Sequence, residues 1–249
     1  PAQADAEVFE VFSGLLAGLP LRPVTGDIGI LMAAVRGLDT TDRRKAALLR
    51  HIWRPKRFRA LLDRYAGRAP VPAARAQLLE KLAQGAPDAL IAQAGPVIGL
   101  RSEEDIAARA AALLEDAAVK PIAAPEAALL YDLLGLQAPA KAALDHLRGI
   151  TPLLPAIAPA VDRFAARLDA LAQRGITVET LPFEASLGRT SMEYYDGFTF
   201  VFLGPQGQPS VASGGRYDAL TARLGAGRSI PAVGGIIRPH MVADLRRAI

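Results

Sequence analysis

Apolar and polar positions change their period three times along this chain. Helical spacing comes first: Val8, Phe9, Phe12, Leu15 and Leu16 share a face, with Asp5 as the expected N-cap and Gly18 as the stop. Residues 19–25 carry two prolines, which predicts an edge strand because proline cannot donate to a ladder. A second helix is predicted over 28–36, started by Gly26 and Asp27 and stopped by Gly37. From 41 to 150 the pattern stays helical and is cut by Pro and Gly into helices predicted at 41–53, 55–65, 73–83, 87–94, 103–117, 125–134 and 139–147. Ser102 and Asp105 have the spacing of a capping box, and Pro125 suits a first helical position. No alternating run interrupts this stretch, so it reads as a strand-free, separable helical unit.

A longer helix follows, with Val161, Phe164, Leu168 and Leu171 on one face and Gly175 at its C-terminal cap. The period then drops to two. Strands are predicted over 176–186, from Tyr194 through Leu203, over 209–212 and over 230–237. Phe198, Phe200 and Phe202 alternate with Thr199, Val201 and Leu203, and the turn at 204–208 makes a hairpin of the middle two strands. Gly214 and Gly215 read as a sharp turn into a helix beginning near Tyr217. The paired glycines at 234 and 235 suit a buried strand that something approaches closely. A helix over 241–249 closes the chain. Strands joined antiparallel or through helices give an α+β class rather than a doubly wound sheet.

Composition narrows the class. Of 249 residues 51% are apolar and 22% charged, enough for a sizeable core, and no apolar run approaches the length of a membrane span. The absence of cysteine excludes disulfides and thiolate-bound zinc and is compatible with a reducing cytoplasm. No signal-peptide pattern opens the sequence. The three histidines, His51, His146 and His240, lack metal-ligand spacing, and no phosphate loop, dinucleotide fingerprint or Ser-His-Asp arrangement is present. Arg43, Arg44, Lys45, Arg50, Arg54, Lys56, Arg57 and Arg59 surround Trp53 and Phe58. A solvated helix face, or one that meets an acidic partner, explains them better than nucleic-acid binding.

The chemistry concentrates near the end. Tyr195 and Tyr217 each pair an apolar ring with one hydroxyl, which suits a small polar ligand and equally suits a core strand. Glu193 can meet an ammonium or a salt-bridge partner. Arg216 can pin Asp218 or a neighbouring carbonyl.

Three blocks stand in order: Tyr194-Tyr195-Asp196-Gly197-Phe198-Thr199-Phe200, then Gly214-Gly215-Arg216-Tyr217-Asp218, then Pro231-Ala232-Val233-Gly234. Together they resemble the histidine-binding half of histidyl-tRNA synthetases and of their non-catalytic relatives, the regulatory subunits of ATP phosphoribosyltransferase. The resemblance runs over 183–241 and extends to 1–38. It implies a class II synthetase-like antiparallel sheet with flanking helices, formed by 1–40 and 151–249, with 41–150 as a helical insertion. The first two class-defining motifs do not precede residue 1, so the N-terminal part of that core is expected to be missing. Glu193, Tyr194, Tyr195, Arg216 and Tyr217 become the candidate histidine-binding residues.

Departures from the synthetase pattern separate the two relatives. Thr190 stands where a synthetase has the arginine that stabilises adenylation, and Arg189, one residue earlier, would point to the other face of a strand. Met241 stands where the arginine that stacks on ATP is expected, and no anticodon-binding domain follows Ile249. The resemblance therefore implies a regulatory subunit in the first step of histidine biosynthesis, without catalytic residues, metal or cofactor. Its implied partners are the short catalytic subunit, a second copy as a dimer, and histidine as effector. The alternative is a catalytic fragment of a divergent histidyl-tRNA synthetase.

Overall fold

The computed structural model describes residues 1–85, 87–96, 99–189, 194–205 and 209–247. Helix α1 (Ala2–Leu15) leads into β1 (Arg22–Asp27) and α2 (Ile28–Arg36). Seven helices follow: α3 (Asp42–Arg50), α4 (Pro55–Tyr65), α5 (Ala73–Gln84), α6 (Pro87–Gln93), α7 (Glu103–Ala118), α8 (Ala124–Gly135) and α9 (Ala140–Ile150), with β2 (Gln137–Pro139) between the last two. The chain continues as α10 (Ala158–Gln173), β3 (Pro182–Glu184), β4 (Phe198–Leu203), β5 (Ser210–Arg216), α11 (Asp218–Leu224), β6 (Val233–Ile237) and α12 (Pro239–Arg247).

The strands form one sheet in the order β2-β3-β1-β4-β5-β6, antiparallel except where β1 runs parallel to β3. The period of two in β4 divides the sheet into two faces. Phe198, Phe200 and Phe202 meet Phe9 of α1 with ring centroids 6.4, 5.6 and 5.5 Å away. Phe164 of α10 stacks on Phe183 of β3 at 4.6 Å. Each such ring contributes about 1.5–3 kcal/mol by leaving water, so this face anchors the fold. On the other face Val24, Val201 and Tyr195 are buried together, with Leu187, Leu203 and Tyr217 packed around them.

Local signals act as expected at most helix ends. Asp27 accepts from Gly29 N at 2.9 Å and caps α2. Ser102 and Asp105 make the reciprocal bonds of a capping box at α7. Gly175, at φ +79°, lets Ile176 N reach Leu171 O at 3.1 Å beyond α10.

Several expectations are corrected. Asp5 lies inside α1, buried, and is not its N-cap. Strand β1 is central, not an edge; Pro23 is tolerated there because β3 pairs with β1 only at Thr25. The stretch expected to be strand-free contains β2, which pairs with β3. Helices α8 and α9 bury Leu130, Leu133, Leu144 and Leu147 in the same core as Phe9, whereas α6 and α7 have no fully buried residue. Only 182–184 of the strand predicted over 176–186 forms, since Leu181 N turns back to Thr177 O. Strand β6 is an edge with Ile236 exposed, not a buried strand.

Candidate ligand site

Gly214 and Gly215 are not a turn; both lie in β5, paired to β4 and β6. Their lack of side chains is required by what packs on them. A Cβ on Gly214 would come within 2.3 Å of Phe200 Cζ, and one on Gly215 within 2.9 Å of Tyr195 Cδ1. Gly234 of β6 has the same relation to Tyr217, whose hydroxyl would lie 3.2 Å from an added Cβ. Gly215 and Gly234 are directly paired, so Tyr195 and Tyr217 stand over neighbouring strands on the face opposite α1. Their centroids are 6.1 Å apart, and Tyr194 joins at 4.3 Å from Tyr195 and 6.0 Å from Tyr217.

The loop before β4 holds this trio. Tyr195 precedes the strand and does not belong to it. Asp196 N donates to Arg216 O at 3.0 Å. The Asp196 carboxylate accepts from Asp218 N at 3.1 Å and Ala219 N at 2.6 Å, tying the loop to the start of α11. Burial raises the Asp196 pKa, the neighbouring Asp218 charge adds to this, and the backbone donors oppose it. Tyr194 donates its hydroxyl to that of Tyr195 at 2.9 Å. Burial, then this hydrogen bond, holds the Tyr195 phenol above its ordinary pKa, so it stays neutral and keeps its proton for donation. Tyr195 is 1% exposed and Tyr194 48%, so Tyr194 is the ring that meets solvent first.

Arg216 belongs to the opposite face. Its guanidinium donates to Asp5 Oδ1 at 2.9 and 2.6 Å, to Asp218 Oδ1 at 3.1 Å and to Pro1 O at 3.1 Å. Asp5 also accepts from Arg167 Nε at 3.0 Å, and Arg167 reaches Asp27 Oδ2 at 2.7 Å. Burial disfavours the Arg216 cation, but the Asp5 and Asp218 carboxylates more than offset it and its pKa ends raised. This chain of four buried charges clamps α1, α2 and α10 to the end of β5. A cavity of about 300 Å³ opens beside it, with Pro1, Arg163 and Asp196 in its walls. Sequence reasoning missed Asp5, Asp27, Arg167 and Asp196 as members of the site's frame; the Gly-Asp pair before α2 was the one local hint.

The structure thus brings Tyr194, Tyr195 and Tyr217 together and sets Arg216 apart. Glu193 and Thr190 lie outside the described residues. Arg189 is in a turn rather than a strand; it is buried and donates Nε to Ile52 O at 2.6 Å. Met241 lies in α12, half-buried against the core.

Comparison with known proteins bears on the family and the fold. The family model for histidyl-tRNA synthetase matches residues 102–242, more than half of the chain. An ATP phosphoribosyltransferase regulatory subunit of Mesorhizobium japonicum is 30% identical over 99% of this chain and 69% of its own length. The chain belongs to the family of ATP phosphoribosyltransferase regulatory subunits. A regulatory subunit of Agrobacterium fabrum is also 30% identical, over 94% of this chain and 65% of its own length. The chain spans about two thirds of the length of these regulatory subunits. The fold is that of a Bacillus halodurans ATP phosphoribosyltransferase regulatory subunit/histidyl-tRNA synthetase, with TM-score 0.60 and 20% identity over 98% of this chain and 50% of that one. A histidyl-tRNA synthetase from Nostoc matches with TM-score 0.58 and 14% identity, over 100% and 48%. The class II synthetase-like sheet with flanking helices follows from these matches. Among the described residues no helix is long and apolar enough to cross a membrane.

Proposed function

We propose that the whole protein is a non-catalytic cytoplasmic subunit that docks on the short catalytic ATP phosphoribosyltransferase, activates it, and relays inhibition by histidine. Family membership supports the role. The observation that carries the ligand is the trio of Tyr194, Tyr195 and Tyr217 seated over Gly215 and Gly234, whose rings and hydroxyls suit an amino acid's side chain and ammonium. Glu193, beside that trio in sequence, is the acid we assign to the ammonium. Arg216 supports the frame rather than touching the ligand. Residues 41–150 form the insertion in this reading, its last part lending β2 to the sheet, and the protein pairs as a dimer. Binding two states of the enzyme with different affinity is what lets such a subunit activate, and histidine must bias the same equilibrium.

Adenylation is not expected, because Thr190 and Met241 carry no charge where two arginines would act; losing one preorganised donor costs about 10²–10³ in rate. Histidine-dependent ATP–pyrophosphate exchange by the full-length protein is the test. No exchange above background is expected. Exchange at a synthetase-like rate would favour the catalytic alternative, a divergent histidyl-tRNA synthetase, to which the family model over 102–242 also points.

A further inference from the structure

The outer sides of α3, α4 and the corner between them carry Arg43, Arg50, Arg54, Lys56, Arg57 and Arg59, all exposed. Among the described residues none of these six forms an ion pair, while the inward-facing Arg44 is paired to Asp116 at 2.7 Å. Acid is sparse around this cluster: Asp42 opens α3, Asp105 shares a hollow with Arg43, and Asp63 is engaged by the Tyr131 hydroxyl at 2.6 Å. The cluster's centre is compact: Arg54, Lys56 and Arg57 wall one pit, and Arg50 joins Arg54 and Arg57 in bearing on His51 at the corner. It is also firmly mounted, with Leu48, Ile52, Phe58 and Leu62 buried beneath it. Like charges held this close repel, and a fixed field of one sign attracts and orients an oppositely charged surface.

We propose that this corner is the docking surface for an acidic face of a partner protein, which, resting on the functional reading above, is the catalytic subunit. A protein suits the corner better than a nucleic acid. Phe58 and Tyr65 are buried and Trp53 is half-buried, so no ring of this segment is free for bases to stack on. A shallow pit of about 420 Å³ is walled by Arg54, Pro55, Lys56 and Arg57, where apolar stems and a proline ring offer packing as well as charge. Five of the six cations are arginines, whose planar forks pair bidentately with carboxylates and are enriched at protein interfaces.

The corner also touches the turn that ends at Arg189. Arg189, six residues before Tyr195, bonds Ile52 O at 2.6 Å and lies over the Phe58 ring at 5.0 Å. Burial, and then the charge of Arg59 in the basic corner, lower the Arg189 pKa to about 10.

The test uses the full-length protein and the purified short catalytic subunit, with binding followed by calorimetry at low and high salt. The parent is expected to bind and to weaken with salt. The triple reversal Arg50→Glu, Arg54→Glu, Arg57→Glu is expected to lose about tenfold or more in affinity. A triple Arg→Gln variant, which keeps the fold free of new repulsion, is expected to shift in the same direction by less, and a triple Arg→Lys variant to stay close to the parent. An equal charge change elsewhere, Arg223→Glu, Arg228→Glu and Arg246→Glu, should leave affinity near the parent value. If the parent binds and both the Glu and Gln triples match it, the surface is wrong and the functional reading stands. If the parent does not bind at any salt, both fail. If the triples keep the catalytic subunit but lose binding to duplex RNA, the corner is a nucleic-acid surface and the proposal is overturned.

Discussion

Asp5 shows how much a single buried side chain holds. It is the shared acceptor of Arg167 and Arg216, with all three side chains nearly out of water. Removing one partner of such a group leaves charge buried without compensation and costs about 3–5 kcal/mol. Asp5→Ala is therefore expected to lose about that much stability in chemical denaturation; a loss under 1 kcal/mol, the scale of an exposed pair, would contradict the clamp. Gly234→Ala tests the tyrosine site more gently, because the added methyl meets the Tyr217 hydroxyl at 3.2 Å and has no backbone atom against it. It should leave the melting temperature nearly unchanged and weaken histidine binding. Tyr217→Phe should weaken it too, by about 0.5–1.5 kcal/mol for one neutral hydrogen bond. If both variants bind histidine like the parent in calorimetry, the ligand lies elsewhere. The aromatic and glycine blocks were legible as one cluster because their order is local. Asp5 was not, because its partners lie 162 and 211 positions away and its own surroundings suggest only a helix start.

Elements follow the sequence where their causes are local. Helices α2 and α4 have the predicted bounds, since Asp27 and Pro55 act within one turn. Strand position did not follow, because whether β1 is central depends on Thr25 meeting Phe183 across the chain. The strand β2 was invisible for the same reason: three residues carry no period, and pairing with β3 alone makes them a strand. Helix α7 is the opposite case, with a capping box and no fully buried residue. Its end is tied by Asp116 to Arg44 and Arg75, but its first turn rests on local terms, so Ser102→Ala, removing a cap of about 1 kcal/mol, should speed amide exchange in the first turns of α7 and leave β4 and β5 protected. Slowed or unchanged exchange in α7 would refute this. At the α3–α4 corner, burial lowers the His51 pKa first, and Arg54, Arg57 and Arg50 lower it further. Being depressed, it contributes stability that is fully present above the ordinary histidine value of about 6.5 and lost as pH falls below it toward the folded pKa. Arg54→Gln with Arg57→Gln should raise the His51 pKa in an NMR titration and shrink that acid-side loss; an unmoved titration would place the cations too far away to matter.

At the scale of the molecule, one sheet separates two jobs. The face with Phe9, Phe164 and the β4 phenylalanines supplies stability, and the buried Asp5–Arg216 frame fixes where β5 ends. The other face carries three tyrosines over glycines, and Arg189, six residues before Tyr195 in sequence, is bonded to the basic corner. In the function proposed above the tyrosine face binds the small ligand and the basic corner meets the partner, while Thr190 and Met241 stand, by the resemblance, where synthetase chemistry would need arginines. The measurement that bears most directly on this account is the phosphoribosyltransferase rate of the purified short catalytic subunit, with and without the full-length protein and then with histidine. The account predicts a rate that rises on adding the protein and falls again as histidine is titrated in. A rate indifferent to the protein at every histidine concentration would contradict it.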